Sequence, residues 1–162
     1  MKLRILIPVR PFGEGKTRLA GVLGPEERGQ LAERMFRHVL GVARDFGDCF
    51  VVTREERLLA EFPDIAIRDR SDGPNAALEQ AAATLAGGAP LLVLAADLPL
   101  LAAAELAAML GLLREAEVVA APDAAGTGTN ALLLARPGCV PYAFGPGSLA
   151  RHRALALAGG WR

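Results

Sequence analysis

Apolar residues in this chain gather in short runs, and the runs alternate between two periods. Leu3 to Val9 reads as a strand. After a loop over 10–18, Pro25 opens a helix at the position proline prefers. Glu26 and Glu27 lie in its first turn, at the positive end of the helix dipole. Leu31, Met35, Val39 and Val42 recur at helical spacing, and Gly47 ends the element. A strand is predicted over 49–53, a short helix over 55–62, a strand over 65–68, a turn at Asp72-Gly73 and an alanine-rich helix over 75–85. The run Leu91 to Ala96 is apolar at every position and is bounded by Pro90, which fits a strand covered on both faces. It ends on one charged side chain, Asp97, and Pro99 stops it, because proline has no N–H for a ladder. A helix over about 103–113, strands over 117–121 and 130–135 and a last helix from near Ser148 complete the pattern. Strands that alternate with helices predict an α/β fold built on a mostly parallel, doubly wound sheet. No internal repeat or linker divides residues 1–162, so a single domain is expected.

Composition narrows the classes. With 162 residues the chain is long enough to bury a real core. Its 18 Lys and Arg balance 18 Asp and Glu, so no net charge draws it to nucleic acid or to a membrane surface. No apolar run reaches membrane-spanning length, and Met1-Lys2-Leu3-Arg4 enters the first strand without a signal-peptide pattern. The two cysteines, Cys49 and Cys139, have no metal-ligand spacing, and Cys49 lies in a strand-like run as a small apolar residue. The expected setting is the reducing cytoplasm.

Chemistry-bearing residues cluster at the ends of the apolar runs. In a parallel sheet, ligands bind at the carboxyl ends of the strands. There Asp97 reads either as a ligand for a divalent cation that would hold phosphates, or as a turn or cap carboxylate ahead of the next helix. Gly15-Lys16-Thr17 suggests a phosphate loop, but the full signature needs glycine six positions before the lysine. Arg10 stands there and Pro11 follows, so that motif is rejected. What remains is a loop carrying Arg10, Lys16 and Arg18 beside glycines. It suits either a triphosphate or solvent. Asn75 follows a Gly-Pro turn at a helix start, as an N-cap or as an amide for a base or ribose. Gly126-Thr127-Gly128-Thr129-Asn130 and Phe144-Gly145-Pro146-Gly147-Ser148, followed by Arg151 and His152, are glycine loops. Such loops let a backbone approach a ligand, and the second feeds a helix N-terminus.

Taken together, these motifs resemble one family over residues 4–158. The order is Ile-Pro-Val-Arg-Pro with Lys-Thr-Arg-Leu, then Asn-Ala-Ala-Leu, Ala-Asp-Leu-Pro-Leu-Leu, Gly-Thr-Gly-Thr-Asn-Ala-Leu, and Phe-Gly-Pro-Gly-Ser with Arg-His. The family is the 2-phospho-L-lactate or phosphoenolpyruvate guanylyltransferases of coenzyme F420 biosynthesis. The resemblance implies a nucleotidyltransferase, Rossmann-like three-layer sandwich. It implies partners GTP and a small phosphorylated carboxylic acid, and Mg2+ as cofactor. It places Arg10, Lys16 and Arg18 on the GTP phosphates and Asn75 near the nucleoside. Asp97 would hold magnesium, with Lys16 and Asp97 the catalytic pair, and Thr129, Gly145 and Ser148 would meet the acid. Family members usually continue into a strand with an Asp-x-Asp pair that shares the metal. Here Gly159-Gly160-Trp161-Arg162 closes the sequence without one, which predicts an open sheet edge and a metal held by few charges, with Asp123 the next acid to consider. Three readings follow: the guanylyltransferase, a related nucleotidyltransferase with another acceptor such as a molybdopterin- or sugar-phosphate-type compound, and a non-catalytic nucleotide-binding remnant.

Overall fold

The computed structural model describes residues 2–14, 19–85 and 87–162, so the expectations for Lys16 and Arg18 lie outside the described residues. Six strands, β1 (Leu3–Val9), β2 (Gly47–Thr53), β3 (Ala66–Arg68), β4 (Leu91–Leu94), β5 (Val118–Pro122) and β6 (Thr129–Leu134), form one sheet in the order β3-β2-β1-β4-β6-β5. The first four run parallel, while β6 is antiparallel to both of its neighbours. Among the described residues five α-helices, α1 (Pro25–Ala43), α2 (Glu56–Glu61), α3 (Pro74–Thr84), α4 (Ala103–Leu112) and α5 (Ser148–Ala158), connect and cover the strands.

Side chains that alternate along the strands feed two cores. Ile5, Ile7, Val9, Leu92 and Leu94 pack on one face with Phe36, Val39 and Leu106 of α1 and α4. Leu6, Leu91, Val93, Leu132 and Leu134 pack on the other with Ala77, Leu78 and Ala156 of α3 and α5. All four residues of β4 are buried, as an apolar run covered on both faces requires. Cys49 lies in the first core, and burial raises its thiol to about 11.

Two boundaries differ from the sequence reading. Gly47 does not end α1; it starts β2 opposite Leu3. A Cβ at Gly47 would collide with the Leu3 carbonyl oxygen, so glycine there permits strand closure. β4 stops at Leu94 instead of Ala96, because beyond that point Ala95 is held only by its N–H to the Asn130 carbonyl, at 2.8 Å. At the far edge of the sheet, the Arg162 carbonyl accepts the N–H groups of Glu117 and Val118 at 2.5 and 3.0 Å. Among the described residues no helix is long and apolar enough to cross a membrane.

Candidate active site

The strand order reverses direction between β1 and β4: from β1 the chain winds outward through β2 and β3, then returns to place β4 on the other side. Ligand-binding crevices form at the carboxyl ends of strands at such a switch. Strand register then decides which side chains emerge together. Val9 pairs with Thr53, so the next residues, Arg10 and Arg54, leave the sheet side by side. Thr53 pairs with Arg68, and Asp69 donates its N–H to the Thr53 carbonyl at 2.9 Å, which brings Asp69 beside Arg54. Leu6 pairs with Val93, and counting on along both chains brings Asp97 opposite Arg10. The carboxyl edge therefore carries the row Asp69, Arg54, Arg10, Asp97. Thr53 braces it from below: its buried hydroxyl donates to the Val9 carbonyl at 2.7 Å and accepts the Glu55 N–H at 3.0 Å.

Two clefts flank Arg10. One, of about 330 Å³, lies toward β2 and α3 and is lined by Arg10, Arg54, Asp69, Gly73, Pro74 and Ala77. The other, of about 410 Å³, lies toward β4 and α1 and is lined by Arg10, Glu14, Ala32, Ala95, Ala96 and Asp97. Both volumes fall within the range of roughly 300–1,000 Å³ typical of small-ligand sites. Asp97 is exposed at the end of β4. It does not cap α4, whose first turn is closed by Glu105 accepting the Ala102 N–H at 2.8 Å. Among the described residues, no three His, Cys, Asp or Glu side chains gather into a metal-binding group. One carboxylate beside a phosphate-sized cleft still suits magnesium, which takes one or two carboxylates and completes its shell with substrate phosphates and water.

Asp123 is engaged within its own loop. Its carboxylate accepts the Thr127 N–H at 2.9 Å and folds over its own loop. The N–H groups of Gly128 and Thr127 hold its carboxyl below the usual carboxylate range. A Cβ at Gly128 would stand 2.6 Å from Asp123 Oδ2, so that glycine is what lets the loop close.

Asn75 is the second residue of α3, not its cap, which is Gly73. Its amide makes two reciprocal bonds to the main chain of Phe144: Nδ2–H to the carbonyl at 3.1 Å, and Oδ1 from the N–H at 2.8 Å. The amide that sequence alone offered to a nucleoside is thus engaged in clasping the Phe144–Ser148 turn onto α3. Gly145 and Gly147 adopt φ of 121° and 69° in that turn, conformations that favour glycine.

Below the turn lies a buried hydroxyl cluster. Ser148 Oγ donates to Thr129 Oγ1 at 3.1 Å, and His152 Nδ1 lies 3.0 Å from the same oxygen. The Ala143 N–H points at His152 Nε2 from 3.0 Å, so Nε2 is bare and the neutral ring carries its proton on Nδ1, which donates to Thr129. Thr129, Ser148 and His152 are all buried. The first two amides of α5 are also satisfied internally, Ser148 N–H by the Gly145 carbonyl and Leu149 N–H by the Thr127 carbonyl, each at 3.1 Å. Thr129, Gly145 and Ser148 therefore converge. The hydroxyls lie beneath the turn, and the turn itself forms the surface.

Sequence reasoning named His152 only as a neighbour of the turn and passed over Arg54 and Asp69. The signal for Arg54 was present: it follows the strand over 49–53 as Arg10 follows the strand over 3–9.

Burial, and then the charge of Arg151, hold the His152 imidazole below its ordinary value. Its folded pKa thus lies under the unfolded one, near 6.5. As pH falls below that value the unfolded chain takes up the proton first. The stability contributed by the neutral ring is complete above about pH 6.5 and is lost as pH drops toward the folded value. Urea unfolding between about pH 7 and 5 should show stability falling by at most about 1.4 kcal/mol per pH unit from this group. His152→Gln should flatten that slope; an unchanged slope would assign it to other groups.

A family model for "Guanylyl transferase CofC like" proteins matches residues 3–160. The chain is 39% identical to the phosphoenolpyruvate guanylyltransferase of Chloroflexus aggregans over 170 aligned positions, covering 98% of this chain and 84% of the relative. It is 39% identical to the enzyme of the same name from Rubrobacter xylanophilus, covering 100% and 83%. The 2-phospho-L-lactate guanylyltransferase of Methanoregula boonei is 35% identical and covers 82% and 58%. Among solved structures, a nucleotide-diphospho-sugar transferase from Desulfovibrio desulfuricans superposes with a TM-score of 0.79 at 17% identity, over 100% of this chain and 78% of that one, a likeness of fold. The charged row at the switch point and the Thr129–Ser148 turn thus sit in a nucleotidyltransferase fold, and the chain belongs to the CofC-like guanylyltransferase family.

Proposed function

We propose that the protein joins GTP to a small phosphorylated carboxylic acid, phosphoenolpyruvate or 2-phospho-L-lactate, and releases pyrophosphate, as a step of coenzyme F420 biosynthesis in the cytoplasm. The observation that carries the reading is the row along the carboxyl edge, Asp69, Arg54, Arg10 and Asp97, which sets two cations between two carboxylates beside clefts of small-ligand size. An oxygen of the acid's phosphate attacks the α-phosphorus of GTP. A new P–O–P link forms, the bond to the β-phosphate oxygen breaks, and pyrophosphate leaves with that electron pair. No redox change occurs.

Arg10 sits between the clefts and would neutralise the phosphates, with Lys16 and Arg18 of the following loop assigned to the same task. Asp97 would hold Mg2+, which supplies charge neutralisation on the phosphoryl oxygens. Thr129 and Ser148 would act from below, fixing the turn at Gly145 so that its backbone meets the acid. Asn75 fixes the same turn from the α3 side, near the nucleotide. The chain performs alignment and electrostatic stabilisation, as phosphoryl transfer generally asks of its catalyst.

The test is pyrophosphate release from GTP with a panel of acceptors. Release is expected with phosphoenolpyruvate or phospholactate and not without an acceptor. Release only with a sugar phosphate or a pterin phosphate would move the protein to another nucleotidyltransferase activity. GTP binding with no release would identify a remnant.

A further inference from the structure

We propose that Asp69 and Arg54 form the guanine-reading end of the site, where the family resemblance had set only Asn75 near the nucleoside. The inference rests on the guanylyltransferase reading only for the presence of a guanine nucleotide. Three strand spacings separate β3 from β4, roughly 14 Å along the carboxyl edge. If the α-phosphate lies at Asp97 and the acid at the Thr129 side, the nucleoside must extend the other way, past Arg10 toward β2 and β3. The cleft waiting there has apolar walls from Val9, Pro74 and Ala77 on which a base can lie, and its charged groups are Arg10 and Glu14 at the β1 side and Arg54 and Asp69 at the far end.

The carboxylate of Asp69 is half-buried and rigidly aimed. Oδ1 accepts the Ser71 N–H at 2.8 Å and Oδ2 accepts Arg54 Nε–H at 3.0 Å. Arg54 is anchored in turn by the Ser71 carbonyl. The Ser71 hydroxyl has one proton and two acceptors within reach, Asp69 Oδ1 at 2.6 Å and the Gly73 carbonyl at 3.1 Å. As the structure stands, Ser71 occupies both lone pairs of Oδ1; once its side chain rotates off that oxygen and keeps only the Gly73 carbonyl, one lone pair is left on each carboxylate oxygen. Two parallel N–H donors fit that arrangement, and the N1–H and 2-amino groups of guanine are such a pair. Adenine places an acceptor at N1 and has no 2-amino group, so it would set a lone pair against an anion. Arg54 adds a donor for the guanine carbonyl on the same edge. The serine hydroxyl would then switch partners on binding, so the free carboxylate stays satisfied when no base is present.

Calorimetric binding of GDP, IDP and ADP to the full chain, with no acid present, tests this. IDP lacks only the 2-amino group. The wild type is expected to bind GDP about ten- to a hundredfold more tightly than IDP, the value of a hydrogen bond to a charged group, and ADP more weakly still. Asp69→Asn, nearly isosteric, should bring GDP and IDP within about twofold of each other, since an amide offers one acceptor where two are needed. Equal binding of GDP and IDP by the wild type would overturn the proposal without any substitution. So would an Asp69→Asn protein that keeps the full GDP preference, or a wild type that binds no GDP. GDP selectivity without turnover of any acid would uphold this inference while refuting the reaction proposed above.

Discussion

Asp97→Asn is expected to abolish magnesium-dependent turnover of GTP while leaving the fold intact. The substitution exchanges one oxygen for an amide nitrogen of nearly the same size, at an exposed position beyond the end of β4, so no core contact is lost. What disappears is the negative charge that opposes Arg10 across the second cleft. Removing one preorganised electrostatic contact to a phosphoryl transition state costs about 10²–10³-fold in kcat. We expect a loss of at least that size, with the variant still folded by circular dichroism. Because no cluster of three ligands forms among the described residues, the wild type should need magnesium on the order of millimolar. A magnesium titration of both proteins checks the two halves together. Saturation of the wild type at micromolar metal would require further ligands, and undiminished turnover in Asp97→Asn would remove the metal role from this residue.

Thr129→Val should be the most damaging change to the acid side of the site. The hydroxyl of Thr129 accepts two protons, from Ser148 Oγ and from His152 Nδ1, in a place closed to water. Valine fills the volume and leaves both donors without an acceptor. Each unsatisfied buried donor costs about 1–3 kcal/mol, so the variant should lose roughly 2–6 kcal/mol of stability. The Gly145 turn loses support from below, and the Michaelis constant for the phosphorylated acid should rise more than that for GTP. Ser148→Ala removes one donor together with its hydrogen bond and should show the same bias at smaller cost. Urea unfolding and steady-state kinetics with each substrate varied in turn read both effects. A rise confined to GTP would reassign the pocket beneath the turn.

The parts of the architecture written in period and punctuation were legible beforehand. The Leu3–Val9 strand, the Pro25 helix start and the two-sided burial of Leu91–Leu94 follow from local pattern. The reversal of β6 did not, because strand direction is settled by which neighbour it pairs with and not by its own residues. The same division holds for the site. Asp97, Thr129 and Ser148 stand in motifs and were named from them. The partnership of Asn75 with Phe144 spans 69 positions, and that of His152 with Thr129 spans 23. Arg54 and Asp69 become neighbours only through the register of β2 on β3. Register across parallel strands depends on the packing of whole elements, which no short stretch of sequence contains.

The product of the reaction tests the central claim most directly. Incubated with GTP, phosphoenolpyruvate and magnesium, the protein should yield, by mass spectrometry, one adduct that joins the guanosine α-phosphate to the acid's phosphate for each pyrophosphate released. No GTP should be consumed when the acid is omitted. GDP and inorganic phosphate as the products, with no adduct formed, would contradict the account.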